Sequence, residues 1–382
     1  LPAAEAQSAG QPIQASLRMN LWPVQFSKAH VFMGLSFLIG LLCVRYIQSF
    51  DKHEKEPFIK MLLVTCWGGA WSILLTSVLY IGLQYLGISG SRTAFGALFI
   101  IAPVEEFAKF MALITSYFIY RNEFDEPVDG IIYMSCVALG FSLIENFFYA
   151  MRPESEYLLL LRLFISTPMH ICFSAFMGLA FYLWRLSHKA AGLMAISFLL
   201  ACLSHGAYNL IIFNGYALIV LIVAVGVILS WTMDVLSYAT ALSPHRVPLK
   251  AFIAAYPNPD RQQGIECLQC GSTAEKLTYK KDKIVIQKCD HCDQYVTTRK
   301  SLYKIFQHYA ATFKAIPRSD LARIGTDTPL ASLYAGNTLS KPKGIACFDL
   351  DSLDDAIEAR NAAIIAKMER KWWFPKGLYR HP

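Results

Sequence analysis

Ala102-Pro103-Val104-Glu105-Glu106-Phe107-Ala108-Lys109-Phe110 sets two carboxylates and an ammonium in the middle of an otherwise apolar run. The flanks, Phe95 to Ile101 and Met111 to Tyr120, would span a bilayer without them. A charged side chain at bilayer depth costs ~3 kcal/mol on insertion scales. Three such groups in five residues therefore need a polar interior and partners inside it. Three later apolar segments carry polar groups of their own: Glu145-Asn146 with Tyr149, then His170, then His205 with Asn209. The stretch reads as one wall of a polar site inside a bundle of membrane helices.

Composition agrees. Of 382 residues, 55% are hydrophobic and only 16% charged, against about 25% charged in soluble domains. The apolar matter ends near residue 240. The fold class expected is an all-α polytopic membrane protein with a small cytosolic zinc ribbon and a short helical tail. With about 20 apolar residues needed per span, about seven spans emerge, at 30–48, 58–86, 93–120, 128–151, 157–184, 191–213 and 216–238. Residues 86–94, with Gly87, Gly90 and Ser91, suggest a short interfacial piece.

Lys and Arg favour cytosolic loops. Arg45, Lys52, Lys55 and Lys60 follow the first span, Arg121 the third, Arg185 and Lys189 the fifth, and Arg246 and Lys250 the seventh. The N-terminus is therefore expected outside and the C-terminus in the cytoplasm. The formal charge of +7 lies largely in these loops and the tail, so topology accounts for it and nucleic acid is not an expected partner. Counted from the outer helix ends, Glu105 lies about a dozen residues deep, Glu145 about six, His170 about thirteen and His205 about eight. One shared cavity would explain that alignment.

Residues four apart share a helix face. Glu105 and Lys109 share one, and Glu106 is offset by about 100°. The lysine would then neutralise or orient one carboxylate and leave the other to act on water. Glu145 shares a face with Tyr149, and His205 with Asn209, while Ser166 and Ser174 flank His170 by a turn. Gly140 and Gly178 would let helices approach closely. Hydrolysis needs a base for water and donors for the oxyanion. The Glu105/Glu106 pair suits the first need, the imidazoles of His170 and His205 can share that water in proton transfer, and His205 and Asn209 suit the second need, with Lys109, Glu145, Asn146 and Tyr149 in support. The same Glu and His set would suit zinc, but there is no His-Glu-x-x-His pair, so metal-free activation is favoured. Two other readings use the same residues: an ion- or proton-coupled transporter or channel, and a catalytically idle membrane scaffold.

These residues resemble the PrsW family of intramembrane proteases, related to the prenyl-protein CAAX endopeptidases and the Abi proteins. Glu105-Glu106-x-x-Lys109 is similar to the family's Glu-Glu-x-x-Lys signature. Asp129-Gly130, Gly140-Phe141 and Glu145-Asn146 resemble its second block, and Pro168-x-His170 with Ser174 and Gly178 its third. His205-Gly206-Ala207-Tyr208-Asn209 resembles its His-Gly-x-aromatic-Asn block. Together they cover residues about 100–215. The resemblance implies an endopeptidase in a bacterial inner membrane that cuts membrane-anchored proteins, an anti-sigma factor in the best-known case. It implies Glu105 and Glu106 as catalytic, with His170, His205 and Asn209 supporting. The CAAX relatives usually carry Arg where this chain has Lys109, which argues against prenyl-protein processing.

Cys267-x-x-Cys270 and Cys289-x-x-Cys292 have the spacing of a four-cysteine zinc site. A cytosolic location disfavours disulfides. Four ligands leave no open position, so this zinc would hold a fold and dock a cytosolic protein partner. Cys347 stands alone. Residues 301–345 read as mixed and loop-rich. Residues 352–371 read as a helix with Ser352 at its N-cap, and Trp372-Trp373-Phe374 beside Lys371 and Lys376 would suit a membrane surface. The division expected is a flexible leader over 1–28, a transmembrane protease domain over 29–240, the zinc ribbon over 260–300, and a mixed polar tail with a C-terminal helix over 301–382. Met19 would serve as an alternative start.

Overall fold

A computed structural model describes residues 28–88, 93–151, 156–187, 190–215, 218–255, 261–281, 284–313, 345–371 and 374. The leader before Lys28, residues 89–92 of the 86–94 piece with Gly90 and Ser91, Trp372, Trp373 and Lys376 lie outside them. Among the described residues eight α-helices come first: α1 (Lys28–Gln48), α2 (Phe58–Tyr85), α3 (Ala102–Tyr120), α4 (Pro127–Ala150), α5 (Glu156–Leu161), α6 (Thr167–Leu186), α7 (Ala191–Phe213) and α8 (Leu218–Ala241). Two π-helical stretches, Gly96–Ile101 and Arg162–Ser166, lead directly into α3 and α6.

Among the described residues, six helices are long and apolar enough to cross a membrane. The seventh expected span is α3, whose Glu105, Glu106 and Lys109 keep it out of that set on composition. These three charged side chains are buried against the rest of the bundle. The outer helices turn large apolar residues outward, Phe37 and Leu38 on α1 and Ile222, Val223 and Val227 on α8 among them. Such a surface suits lipid, where every backbone polar group must be satisfied within its own helix.

α4 is the axis of the bundle. Pro127 occupies its first turn, where a missing N–H costs nothing. Glu126 caps it in a reciprocal box with Asp129, whose Oδ2 accepts the Glu126 N–H at 2.7 Å. Every residue from Pro127 to Ser142 is buried. A methyl on Gly178 of α6 would overlap the carbonyl of Gly130, and one on Gly140 would overlap that of Thr65 on α2. These glycines let α2 and α6 lie backbone to backbone on α4, as their sequence positions suggested.

After a short α9 (Leu249–Ala254), five strands form one antiparallel sheet in the order β1-β2-β3-β4-β5: Arg261–Glu266, Thr273–Lys281, Ile284–Lys288, Tyr295–Thr298 and Ile345–Phe348. Between β4 and β5 comes α10 (Arg299–Tyr309), with Thr298 Oγ1 accepting from the Ser301 N–H. β5 leads into α11 (Leu350–Glu369). The expected N-cap at Ser352 shifts to Asp349, whose carboxylate accepts both the N–H and hydroxyl of Ser352 at 2.9 and 3.0 Å. A carboxylate three residues upstream reaches the free N–H groups better than a serine already inside the first turn.

The sheet and tail pack on the bundle. Lys52 Nζ donates to the carbonyls of Gln307 and Thr312 at 3.0 and 2.9 Å, and Lys367 pairs with Asp234 of α8 at 3.0 Å. Burial pushes the Lys52 ammonium down to about 7. Phe374, expected at a membrane surface, is buried edge-on against Tyr238 with ring centroids 5.1 Å apart. Burying the ring against another aromatic removes apolar area from water without lipid.

Candidate active site

Four helices bring the polar groups together. Glu105 enters on the first turn of α3, Glu145 near the end of α4, His170 at the start of α6 and His205 late on α7. The helices alternate in direction, so these positions fall at one depth. They border a cavity of about 710 Å³, lined also by Tyr80, Tyr149, Arg162, Tyr208 and Asn209.

The two adjacent glutamates take different environments. Glu105 faces the cavity, its Oε1 accepting from the Tyr80 hydroxyl at 3.2 Å. Glu106 is fully buried behind it. Its carboxylate meets Lys109 Nζ, Ser174 Oγ and His205 Nδ1, each at 2.7 Å. The face shared by Glu105 and Lys109 is therefore not the pair that forms. At i,i+3 Glu106 is as near in a helix as an i,i+4 neighbour, and two further donors from α6 and α7 converge there. Lys109 also lies 4.6 Å from the Phe141 ring centroid.

The imidazoles are fixed by what lies behind them. A carboxylate only accepts, so His205 Nδ1 donates to Glu106 and Nε2 keeps its lone pair, 3.7 Å from Glu105 Oε2. An ammonium only donates, so His170 Nδ1, 3.0 Å from Lys109 Nζ, accepts. The proton of His170 then sits on Nε2, 3.2 Å from Glu145 Oε2. These tautomers are assigned from the hydrogen-bond network. The rings stand edge to face, centroids 4.9 Å apart, with Phe173 stacked on His205.

Of the residues expected from sequence, Glu105, Glu145, Tyr149, His170, His205 and Asn209 line the cavity, whereas Glu106, Lys109 and Asn146 sit behind its wall. Asn146 donates to Thr167 Oγ1 at 2.9 Å and accepts from Arg162 Nε at 3.0 Å, tying α4 to the base of α6. Arg162 itself went unnoticed in the sequence. It pairs with Glu145 at 2.7 Å and lies over the Tyr149 ring at 3.7 Å. An arginine inside the 157–184 run was the signal, since an ionisable group at that depth marks a site or its partner. Tyr80 gave no such signal.

The other cluster lies in the sheet. Cys267, Cys270, Cys289 and Cys292 present sulfurs within 4.8 Å of one another, a group able to hold a metal ion. Cys267 and Cys292 are 3.5 Å apart and Cys270 and Cys289 3.6 Å, far beyond the ~2.05 Å of a disulfide. Sulfurs at ~2.3 Å from a tetrahedral zinc would stand about 3.8 Å apart. The two knuckles match. Gly271 N–H reaches the Cys267 carbonyl at 2.8 Å and Asp293 N–H that of Cys289 at 3.1 Å, both residues with positive φ. Cys347 does not stand alone. β5 pairs it with Val296, setting its sulfur 3.7 Å from Cys267 and under the Leu268 N–H at 3.1 Å.

Residues 56–233 match the sequence model of the PrsW family intramembrane metalloprotease. Protease PrsW of Geobacillus kaustophilus is 32% identical over 176 residues, 44% of this chain and 74% of that relative. The chain belongs to the PrsW family. Protease PrsW of Clostridioides difficile is 27% identical over 207 residues, covering 52% of this chain and 85% of the relative. That of Oceanobacillus iheyensis is 36% identical over 140 residues, 35% and 62%. No solved structure matches. The PrsW match covers α2 to most of α8, the helices that line the cavity, and stops before the cysteine-bearing sheet.

Proposed function

We propose that this protein is a metal-free intramembrane endopeptidase that cuts membrane-anchored proteins, with Glu105 and His205 activating the water. The observation that carries this is the 3.7 Å between Glu105 Oε2 and the lone pair of His205 Nε2, both at the cavity wall. A water held between them loses a proton to Glu105 as its oxygen attacks the scissile carbonyl. The amide of Asn209 and the N–H of His170 Nε2 can donate to the developing oxyanion. The proton then passes to the leaving nitrogen, so peptide and water give a carboxylate and an amine. Glu106 acts through His205, fixing its tautomer and ring plane, and Lys109 pairs with Glu106 from the same helix. This gives the two glutamates separate roles, with the lysine on Glu106 and not on the Glu105 that shares its helix face.

The family description names a metalloprotease, and Glu105, His170 and His205 have ligand atoms within 4.8 Å of one another. The donor set fits poorly. With Lys109 donating to Nδ1, His170 carries its proton on Nε2 and has no lone pair for a metal. Glu105 and His205 alone fall short of the usual three protein ligands. The four cysteines fit zinc well, and there it would hold the sheet together and take no part in turnover. We place the sheet and tail in the cytoplasm, where they would dock a partner, and the cavity in the outer half of a bacterial inner membrane. The substrate would then be cut near its outer end, as in site-1 processing of an anti-sigma factor.

The test is cleavage of single-span substrates by purified full-length protein in detergent. One zinc per chain should be present in the wild type and lost in Cys267→Ser/Cys270→Ser, while cleavage survives a chelator that strips metal from solution. A second metal per chain, with activity lost to the chelator and restored by zinc, would overturn metal-free activation. Ion flux in liposomes without any cleavage would favour the transporter or channel instead.

A further inference from the structure

We propose that Glu54, Asp125 and His245 bind a divalent metal ion of the manganese class, at the end of the bundle opposite the cavity. Three connections deliver them: Glu54 from the α1–α2 loop, Asp125 from the turn ahead of α4, and His245 from the linker between α8 and α9. His245 Nε2 lies 2.9 Å from Glu54 Oε2 and 3.3 Å from Asp125 Oδ1. One ligand atom of each residue falls within 4.8 Å of the other two. Ligand atoms ~2.1 Å from one ion stand roughly 3.0 Å apart in an octahedron and about 3.4 Å apart in a tetrahedron. The two separations match such edges.

The surroundings favour a cation there. Buried acids lie beneath the three residues and hold their main chains. The Glu54 N–H donates to Asp51 Oδ1 at 3.2 Å, and the Asp125 N–H to Asp129 Oδ2 at 3.0 Å. The His245 N–H donates to Ser243 Oγ at 3.2 Å, and that hydroxyl donates in turn to Glu126. Asp125 also lies within Coulombic reach of Glu126 and Asp129. Among the described residues no lysine or arginine pairs with Glu54 or Asp125. The neighbouring cations are engaged elsewhere: Arg246 with Glu358, Lys52 with the Gln307 and Thr312 carbonyls, Arg185 with the Phe124 carbonyl. Nε2 carries at most one proton to share between two carboxylates, whereas a divalent ion meets all three ligand atoms at once. Imidazole suits transition metals and carboxylates suit manganese, while thiolates select zinc, so the four cysteines take zinc first. The three side chains stay partly exposed, which leaves water to complete the shell and lets the ion exchange. Binding here would clip the linker that leads to the sheet onto two loops of the bundle. Asp129 and Glu145 are about 24 Å apart along α4, so this site and the proposed water activation stand or fall separately.

The experiment is electron paramagnetic resonance of Mn²⁺ titrated into zinc-loaded full-length protein in detergent. The wild type should bind one Mn²⁺ per chain. His245→Ala, and separately Glu54→Gln/Asp125→Asn, should each weaken that binding by about tenfold or more, the loss expected when a ligand goes. The second variant keeps the shape of both side chains and an acceptor for an imidazole N–H, so it removes charge and little else. Without added Mn²⁺ both variants should keep the zinc of the cysteine site, the unfolding temperature and the cleavage rate of the wild type. No Mn²⁺ bound above the detergent blank would mean that a proton alone bridges His245 to the carboxylates, and would overturn the proposal. One Mn²⁺ per chain bound equally by wild type and both variants would place the ion elsewhere and overturn it as well.

Discussion

α4 carries carboxylates at both ends, Asp129 buried and Glu145 half-buried at the cavity, and the two ends are neutralised in opposite ways. At Glu145 the charges meet fixed cations and imidazoles: Arg162 on Glu145, Lys109 and His205 on Glu106, beside an open cavity. About 24 Å away along the helix, Asp129 joins Asp51, Glu56 and Glu126, all four buried. Among the described residues no lysine or arginine pairs with these four. Asp51 instead contacts Glu126, and Glu56 contacts Asp129. Two carboxyls can hydrogen-bond only if one holds a proton. Burial accordingly pushes Glu56 up to about 7 and Glu126 up to about 8. Tyr133 and Ser243 close the cluster by donating to Glu56 and Glu126. A carboxylate held ionised by a cation or opened to water can act as a base. One that shares a proton in a closed pocket binds helix ends together.

The largest effect that would break this contrast is catalytic. Glu105→Gln should cut the cleavage rate by about 10³-fold, within the range for loss of a general base, with the unfolding temperature little changed. Glu56→Gln should leave the rate nearly as it was. If a folded Glu56→Gln protein is as inactive as Glu105→Gln, the acidic end is part of the chemistry and the distinction fails.

A smaller effect sharpens the role of Glu106. Glu106→Gln strands the Lys109 ammonium in the interior, which should cost about 3–5 kcal/mol of stability. Glu106→Gln/Lys109→Met should regain most of that in thermal or denaturant unfolding while remaining inactive, because His205 Nδ1 has lost its carboxylate. Activity recovered along with stability would show that Glu106 does not set the imidazole.

The smallest effect is in pH dependence. Glu56 lies in the loop between α1 and α2, with its folded pKa near 7 against an unfolded 4.5. The folded state therefore holds the proton more tightly. That stability is fully present below about 4.5 and is lost as pH rises through 7. Unfolding in detergent should thus lose about 2 kcal/mol between pH 5 and 8 from this group, and Glu56→Gln should flatten that part of the curve. An unchanged slope would mean that Glu56 is ionised in the folded protein.

Sequence reasoning succeeded where one side chain violated its surroundings. Glu105, Glu145, His170 and His205 stood out because charge and imidazole are costly in apolar helices, and a shared depth followed from helix direction. Arg162, inside the 157–184 run, obeys the same logic, but a lone arginine near the start of a span also reads as an end-of-helix charge. The acidic end was invisible, because Asp51, Glu56 and Glu126 look like ordinary solvated residues at helix ends. Only packing shows that α8 and the 49–57 loop cover them. Cys347 was missed because its neighbour in space is set by β4 pairing with β5, across a long stretch of chain.

What the sequence determined by itself was local and periodic: the apolar spans, the glycines at helix crossings, the paired knuckles and the residues too polar to face lipid. Tertiary structure decided which of two adjacent glutamates meets the cavity, which carboxylate takes the lysine, and where each imidazole keeps its lone pair. The physical reason is distance. Helical spacing sets direction to within a turn, but a proton's place is set over a few ångströms by donors that arrive from other helices.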